Sequence, residues 1–315
     1  MAAALQGMVV PGTRETSVTV CIASIGRTSL LATLRSISDG NRPSYLRIDV
    51  VIADDSRTGA AAFLLEGESA WPFPVVVIPT AACNVAIARN ACLDAARGDY
   101  LAFVDDDEWV ESTWLVNLIE QAEATGADAV FGPVVAIFPP ATPDWIRKAG
   151  PFVKHVGVHG SRVLTGSTCN ALVRRASIER LGLRFLEKFG VSGGEDTDFF
   201  ARLGAAGAIL VASERAVLYE VVPTERLQLA HLRRRYVRGG QSYAQAVMAD
   251  VPPLRQVIFY AMAFFKLVIA VGVVAIAIPF RREIAMKYAF KAWLNAGKLR
   301  HAAGYPLSRL YDAPP

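Results

Sequence analysis

Cysteine is scarce and scattered in this chain. Cys21, Cys83, Cys92 and Cys169 form no C-x-x-C pair, and each has mainly small or apolar neighbours. That spacing argues against a zinc site or a disulfide scaffold, so the thiols read as reduced packing residues of a cytosolic protein. Histidine is also sparse, with four residues. His155 and His159 stand in an irregular segment without a paired Glu or Cys, which speaks against a metal-ligand role. Residues 1–6 carry no charged side chain, and no sustained apolar run follows them. No secretory signal is therefore expected, and residues 1–16 read as a loose leader. There is no internal repeat and no low-complexity tract. Glycine is thin where a phosphate-cradling loop would need it, since residues 23–28 hold only Gly26. That weakens a reading as a nucleotidyltransferase acting on a sugar phosphate, which wants a Gly-rich, Lys/Arg-bearing loop after its first strand. A signalling receiver with Asp54 as phosphoacceptor would want acids at the end of that strand, and Ser24 stands there instead.

Acid is nearly missing from the last part of the chain. From Arg226 onward there are 14 Lys/Arg and 3 Asp/Glu, a balance of +11, which leaves −7 for the rest of a chain of net charge +4. The hydrophobic fraction of 53% is high for a soluble protein, and the excess is localised. Residues 257–280 are apolar apart from Lys266. An acidic body with a basic, greasy tail points to a cytosolic domain held at an anionic membrane. Nucleic acid is the weaker partner for such a tail, because Leu, Ile, Val and Phe dominate between its basic clusters.

A run of 315 residues suits one large domain or two ordinary ones. Short apolar strands at residues 18–23, 49–53, 74–78, 100–104 and 129–138 alternate with helical patterns at 29–38, 84–96 and 112–125. Ser112 is the expected cap of the third helix and Gly126 its stop. Continuous apolar strands between amphipathic helices indicate an α/β fold with a parallel sheet covered on both faces. Ligands on such sheets sit at the carboxyl ends of the strands. Ser24 and Arg27, Asp54 and Asp55, and Asp105, Asp106 and Asp107 then share one rim. Farther on, residues 139–164 are irregular. Shorter strands are expected at 169–174, 208–212 and 216–222, a helical turn at 177–181, and Gly193-Gly194-Glu195-Asp196 opens another helix.

Asp105, Asp106, Asp107 and Glu108 follow directly on an apolar strand. Four adjacent carboxylates repel one another unless something cationic sits among them, and hard oxygen ligands suit Mg²⁺ or Mn²⁺ with a phosphate-bearing substrate. A solvated acidic turn opening a helix is the plainer alternative.

Four motifs decide between these. Asp54 after a strand, Asn84 with Ala88-Arg89-Asn90, Phe103-Val104-Asp105-Asp106-Asp107, and Gly194-Glu195-Asp196 occur in the order and spacing of family 2 glycosyltransferases. The resemblance covers roughly residues 17–243. The chain looks most like bacterial exopolysaccharide glucosyltransferases of the succinoglycan type. The resemblance implies a GT-A fold, a doubly wound mixed sheet. Residues 17–250 would form the catalytic domain, with a nucleotide-binding half at 17–138 and an acceptor half at 139–250. Residues 251–315 would be a membrane-associated helical tail.

It also implies roles. Asp54 would accept a hydrogen bond from the uracil N3–H of a UDP-sugar, and Ser24 would line the nucleotide-sugar site. Arg89 would lie against the base or pyrophosphate, where a planar guanidinium can stack or fork. Asp105 would reach the ribose and, with Asp107, a Mg²⁺ or Mn²⁺ that neutralises the leaving nucleoside diphosphate. Asp106 would point the other way. Asp196 would be the general base of an inverting transfer. Glu195 and Asp198 would lie on the side of the acceptor, a lipid-linked oligosaccharide, with Glu195 buttressing the loop and Asp198 reaching the acceptor. Processive members carry Gln-x-x-Arg-Trp where this chain has Leu232, Arg235 and Tyr236. The degraded match favours single additions. Arg235 would reach a pyrophosphate or lie on phospholipid.

The apolar run would extend ~36 Å as a helix, enough to cross a bilayer. Basic residues on both sides of it conflict with the positive-inside rule. Attachment to the cytoplasmic face of the inner membrane through residues 254–300 is expected, as an interfacial helix or as a single span. On the second helix of that tail, Lys287, Lys291 and Lys298 share one side, and Ile284, Tyr288, Ala292 and Trp293 are expected to face lipid.

Overall fold

The computed structural model describes residues 15–307 apart from Ser69, Val153, His155, Ser192 and Asp250. His155 and the first 14 residues of the expected leader therefore lie outside the described residues. Thr16 already pairs in the first strand.

Ten strands and ten α-helices are described. In chain order the strands are β1 (Thr16–Ser24), β2 (Leu46–Asp54), β3 (Val75–Pro79), β4 (Tyr100–Val104), β5 (Glu108–Val110), β6 (Ala129–Phe131), β7 (Val134–Ile137), β8 (Asn170–Arg174), β9 (Leu210–Ala212) and β10 (Leu218–Val221). The helices are α1 (Ser29–Ser38), α2 (Ala60–Leu65), α3 (Val85–Ala95), α4 (Trp114–Thr125), α5 (Asp144–Ala149), α6 (Arg175–Leu181), α7 (Glu195–Ala205), α8 (Leu229–Met248), α9 (Pro253–Ala277) and α10 (Arg282–Ala302).

A seven-stranded sheet runs β3-β2-β1-β4-β8-β6-β9. The first four strands in that order are parallel, and the inner ones, β1 and β4, carry buried apolar residues on both faces of the sheet. β8 is antiparallel to β4 and to β6, so the sheet is mixed. One core packs Val18, Val20 and Ile22 with α1 and α4. The opposite core packs Cys21 and Phe103 with α3 and α7. Parallel strands align their carboxyl ends, and this puts Ser24, Asp54 and the acidic loop after β4 on one edge.

The single strand expected at 129–138 is two. Pro133 has no N–H to donate, so the ladder stops there. β6 stays in the large sheet, while β7 joins β10 and β5 in a second, three-stranded sheet. Glu108 is thereby drawn out of the acidic loop into β5. Helix α4 starts at Trp114 after Thr113, so Ser112 is not its cap. Gly126 ends it in the left-handed region, at φ 63°.

Helices α8, α9 and α10 form one packed unit. α10 crosses α8 at Gly240 and Gly297, where a Cβ on Gly297 would lie 1.9 Å from the Val237 carbonyl oxygen. A third core joins Phe152, Leu232 and Phe290. Ala292 is buried, and Trp293 lies against Phe290 in this core. Ala292 is thus covered by the protein, while Trp293, like Ile284 and Tyr288, stays partly exposed. Helix α9 buries Ala263, Ala270 and Ala277, one small residue every seven. Its large apolar side chains point outward.

Candidate active site

A cavity of about 800 Å³ opens at the carboxyl ends of β1, β2 and β4. Its walls include Ser24, Arg27, Asp55, Arg89, Asp105, Asp107, Glu195, Asp196 and Arg235. These come from six separate stretches of sequence, which the parallel register and the start of α7 bring together.

The loop after β4 is a tight turn, closed by the Glu108 N–H on the Asp105 carbonyl at 3.3 Å, and it sends its carboxylates in different directions. Asp106 turns inward and is 2% exposed. It accepts hydrogen bonds from Ser24 Oγ at 2.7 Å and Arg27 Nη1 at 2.6 Å. Asp105 and Asp107 on either side reach the cavity. The Ser24 hydroxyl, which also accepts from the Gly26 N–H at 3.0 Å, is thus engaged in holding the loop. Burial pushes the Asp107 carboxyl up to about 6, helped by Asp105, Asp106 and Glu220 and opposed by Arg27. Its cationic neighbours are Arg27 at 3.5 Å and Arg226 at 3.9 Å. Glu108 does not line the cavity. Its Oε2 accepts the Asp105 N–H at 3.0 Å and so fixes the start of the loop. Burial raises its carboxyl well above the usual range.

Arg89, 9% exposed at its side chain, joins the acidic loop to α7. Its guanidinium pairs with Glu195 and reaches Asp105 at 3.4 Å, with the Phe185 ring beneath it. Two carboxylates and a ring therefore occupy the group expected to stack on a base; Arg89 is a strut at the cavity wall. Glu195 is buried, one oxygen on Arg89 and the other, Oε2, without a hydrogen-bond partner. Burial raises its carboxyl, and Arg89 opposes that. Its pairing with Arg89 is the contact of a residue that buttresses the loop.

Asp196, at the second position of α7, is half-buried and faces the cavity. Ser167 Oγ donates to its Oδ2 at 2.6 Å and the Thr197 N–H to its Oδ1 at 2.6 Å. Gly194, at φ 91°, makes the turn that starts the helix there. Asp198, two residues on and so about half a turn around the helix, forms an i,i+4 pair with Arg202 at 2.8 Å and does not line this cavity. The helical rotation between the two residues turns it off the wall, so the acceptor role expected for it is not supported.

Asp54 stands behind the cavity wall. It is 1% exposed, and its carboxylate accepts the N–H groups of Ser56, Ala61 and Ala62 at 3.0, 2.9 and 3.3 Å. It thus serves the amino end of α2 and does not line the cavity. Asp55 does. Asp55 accepts from Thr80 Oγ1 and from the N–H groups of Ala82 and Asn84, at 2.9, 2.8 and 2.6 Å.

Arg235 reaches the cavity from α8 with its guanidinium 4.7 Å from the Phe152 ring centre. Tyr236 instead stacks on Phe290 and donates to the Pro151 carbonyl at 2.8 Å. Leu232 is fully buried. His159 is exposed, away from all of this. Sequence reasoning missed Lys154, Glu220 and Arg226, which line the cavity from segments without a motif. Among the described residues no group of three or more His, Cys, Asp or Glu side chains is arranged as a metal cage.

A carboxylate-lined cleft at the switch of a mixed, doubly covered sheet defines the GT-A type of fold. Two solved structures share it. The mannosyltransferase PcManGT from Pyrobaculum calidifontis, in complex with GDP-Man and Mn²⁺, matches at TM-score 0.61 and 18% identity, covering 92% of this chain and 88% of that one. S. aureus TarS 1–349 in complex with UDP-GlcNAc matches at TM-score 0.51 and 15% identity, covering 92% of each chain. The glycosyl transferase family 2 model matches residues 19–182, and the glycosyl transferase family group 2 model matches residues 148–297. The succinoglycan biosynthesis protein ExoM of Rhizobium meliloti (strain 1021) is 38% identical over 296 residues, 93% of this chain and 94% of that protein. The chain belongs to glycosyltransferase family 2. That membership sets aside the nucleotidyltransferase and receiver readings.

Proposed function

We propose that the protein transfers a sugar from a UDP-sugar, with inversion at the anomeric carbon, to a lipid-linked saccharide acceptor in bacterial exopolysaccharide synthesis. One observation carries the reading: Asp105, Asp107 and Asp196 converge on a single cavity at the carboxyl ends of parallel strands. The pathway and the UDP-sugar rest on the names of ExoM and of the TarS complex. Asp55, at the cavity wall, takes the base-reading role, since a carboxylate accepts the uracil N3–H and repels bases without a donor there. Arg235 meets the pyrophosphate.

Asp105 and Asp107 fit Mg²⁺ or Mn²⁺. Hard carboxylate oxygens suit either ion, and Mg²⁺ is commonly held by one or two carboxylates plus substrate phosphates, so no larger protein cage is needed. Burial lifts the Asp107 carboxyl, with Asp105, Asp106 and Glu220 adding to it and Arg27 opposing it, so a cation there would stabilise the ionised form. Bound there, the ion would neutralise the leaving diphosphate. Asp196 accepts the proton of the acceptor hydroxyl as that oxygen attacks the anomeric carbon. Ser167 and Thr197 hold its carboxylate in place for this. Glu195, bound to Arg89, is not free to act as a second nucleophile, which favours a single inverting displacement. Single additions follow from the loss of the processive motif, of which only Arg235 reaches the cavity.

Membrane attachment is interfacial, on the cytoplasmic face of the inner membrane. Lys298, near the end of α10, lies 5.4 Å from the Phe259 ring near the start of α9, so the two helices run antiparallel along their length. A spanning α9 would pull Lys287, Lys291 and Arg300 into hydrocarbon and tear α10 from α8. Lying flat, α9 buries its outer face in the leaflet, while the exposed Arg233 and Arg234 meet anionic headgroups.

The test is release of UDP from UDP-glucose, UDP-galactose and their N-acetyl forms with a membrane-lipid acceptor fraction. Release should need Mn²⁺ or Mg²⁺ and stop with chelator. Asp196→Asn should bind UDP-sugar near normally and turn over at least ~100-fold more slowly, the low end for a lost general base. Collapse of binding with normal turnover per bound complex would make Asp196 structural.

A further inference from the structure

A second cavity, of about 400 Å³, lies behind Asp196. That volume is within the range of small-ligand sites. Lys154 and Ser167 line both cavities, so the two adjoin at the residue that donates to Asp196. The lining is mainly apolar, with Val156, Val163, Tyr243 and Leu294. Among the described residues no Asp or Glu lines it; its two ionised groups are Lys154 and Lys298. Lys154 has a carboxylate 3.9 Å away, Glu220. Lys298 has none within 4 Å among the described residues. Its ammonium instead stands over two rings, Tyr243 of α8 at 5.1 Å and Phe259 of α9 at 5.4 Å. The crossing at Gly240 and Gly297, one residue away, sets it there.

Resting on the glycosyl-transfer reading, we infer that this cavity is the acceptor port, and that Lys298 binds the phosphate of a lipid-phosphate-linked sugar whose hydrocarbon chain leaves along α9. The chemistry demands both parts. An apolar wall beside a cation disfavours a hydrated inorganic anion, which would lose its water for little return. A lipid phosphate gains a charge-assisted contact at Lys298 and buries its chain on the apolar face that begins beside it. The sugar then sits at the Ser167 edge, where its hydroxyl meets Asp196.

The test is calorimetric titration of the full chain in detergent, with Mn²⁺ and saturating UDP, using three probes: farnesyl diphosphate, farnesol and inorganic pyrophosphate. Farnesyl diphosphate should bind at least tenfold more tightly than either of the others. Lys298→Met should weaken it at least tenfold and Lys298→Arg by less than threefold, with the UDP affinity of both within twofold of the parent. Equal binding of farnesyl diphosphate and pyrophosphate, or unchanged affinity in Lys298→Met with UDP bound normally, would overturn the inference. Absence of UDP binding to the parent would instead overturn the donor reading, which this titration reports separately.

Discussion

At the scale of single residues, the pair Asp54 and Asp55 separates scaffold from site. Asp54 satisfies three backbone N–H groups at a fully buried position, two of them at the start of α2. Asp54→Ala would leave those donors unpaired, and an unsatisfied buried group costs about 1–3 kcal/mol. Some would find water, so a total loss of about 2–4 kcal/mol is expected. Differential scanning calorimetry should show a clearly lower Tm, and the folded fraction should still bind UDP. Unchanged stability with lost UDP binding would return the base-reading role to Asp54. In the acidic motif, the turn closed by the Glu108 N–H on the Asp105 carbonyl sends Asp106 inward to Ser24 and Arg27 and leaves Asp105 and Asp107 at the cavity.

At the scale of elements, the crossing of α8 and α10 is built on two glycines. A Cβ at Gly240 would meet the Leu294 carbonyl oxygen at 1.9 Å, so the two backbones touch. Gly297→Ala should therefore push the helices apart. Overpacking typically costs about 1–3 kcal/mol, and a backbone atom cannot step aside as a side chain can. Gly272 in α9 has open space around it. Gly272→Ala should be neutral or stabilising, by up to about 1 kcal/mol from helix propensity. Thermal melts of the two variants check both. Equal Tm values would mean that the crossing is looser than its geometry. The helical pattern of α10 was legible, but its orientation was not. Of the four residues read as a lipid face, Ala292 is buried, while Ile284, Tyr288 and Trp293 are half-buried, because several apolar neighbours compete for the same helix side.

At the scale of the whole molecule, α9 is the exposed element. It has 25 residues and a mean hydropathy of 2.4 over its most apolar window, of which 11% is buried. Leu254, Val257, Phe264, Phe265, Ile269 and Ile276 are each more than half exposed. Outward residues of this kind cover about half the helix circumference at 3.6 residues per turn. The alanine seam lies opposite, so small residues set the packing and large ones face out. A large side chain withdrawn from water contributes about 1.5–3 kcal/mol. The triple change Phe264→Ser, Phe265→Ser and Ile269→Ser should shift the protein from the membrane to the soluble fraction while UDP-sugar turnover on a soluble acceptor persists. High salt alone should not release the parent, since screening weakens only the electrostatic part. Release by salt, or an insoluble triple variant, would mean that this face is covered by protein. Removing 254–315 outright is the poorer test, because it also strips α10 from α8.

By itself the sequence determined the alternation of strands and helices, the rim at the strand ends, the acidic loop, the start of α7 and the apolar tail. Each is local: a period of two or 3.6, a Gly before a helix, a run of like charge. Tertiary structure alone decided which aspartate after β2 faces the cavity. It also decided that Arg89 is held between Glu195 and Asp105, and that Lys154, Glu220 and Arg226 join the site. Those outcomes depend on which backbone donors and which charges arrive from distant segments. A buried carboxylate takes whatever N–H groups the fold brings to it, and no spacing along the chain encodes that arrival.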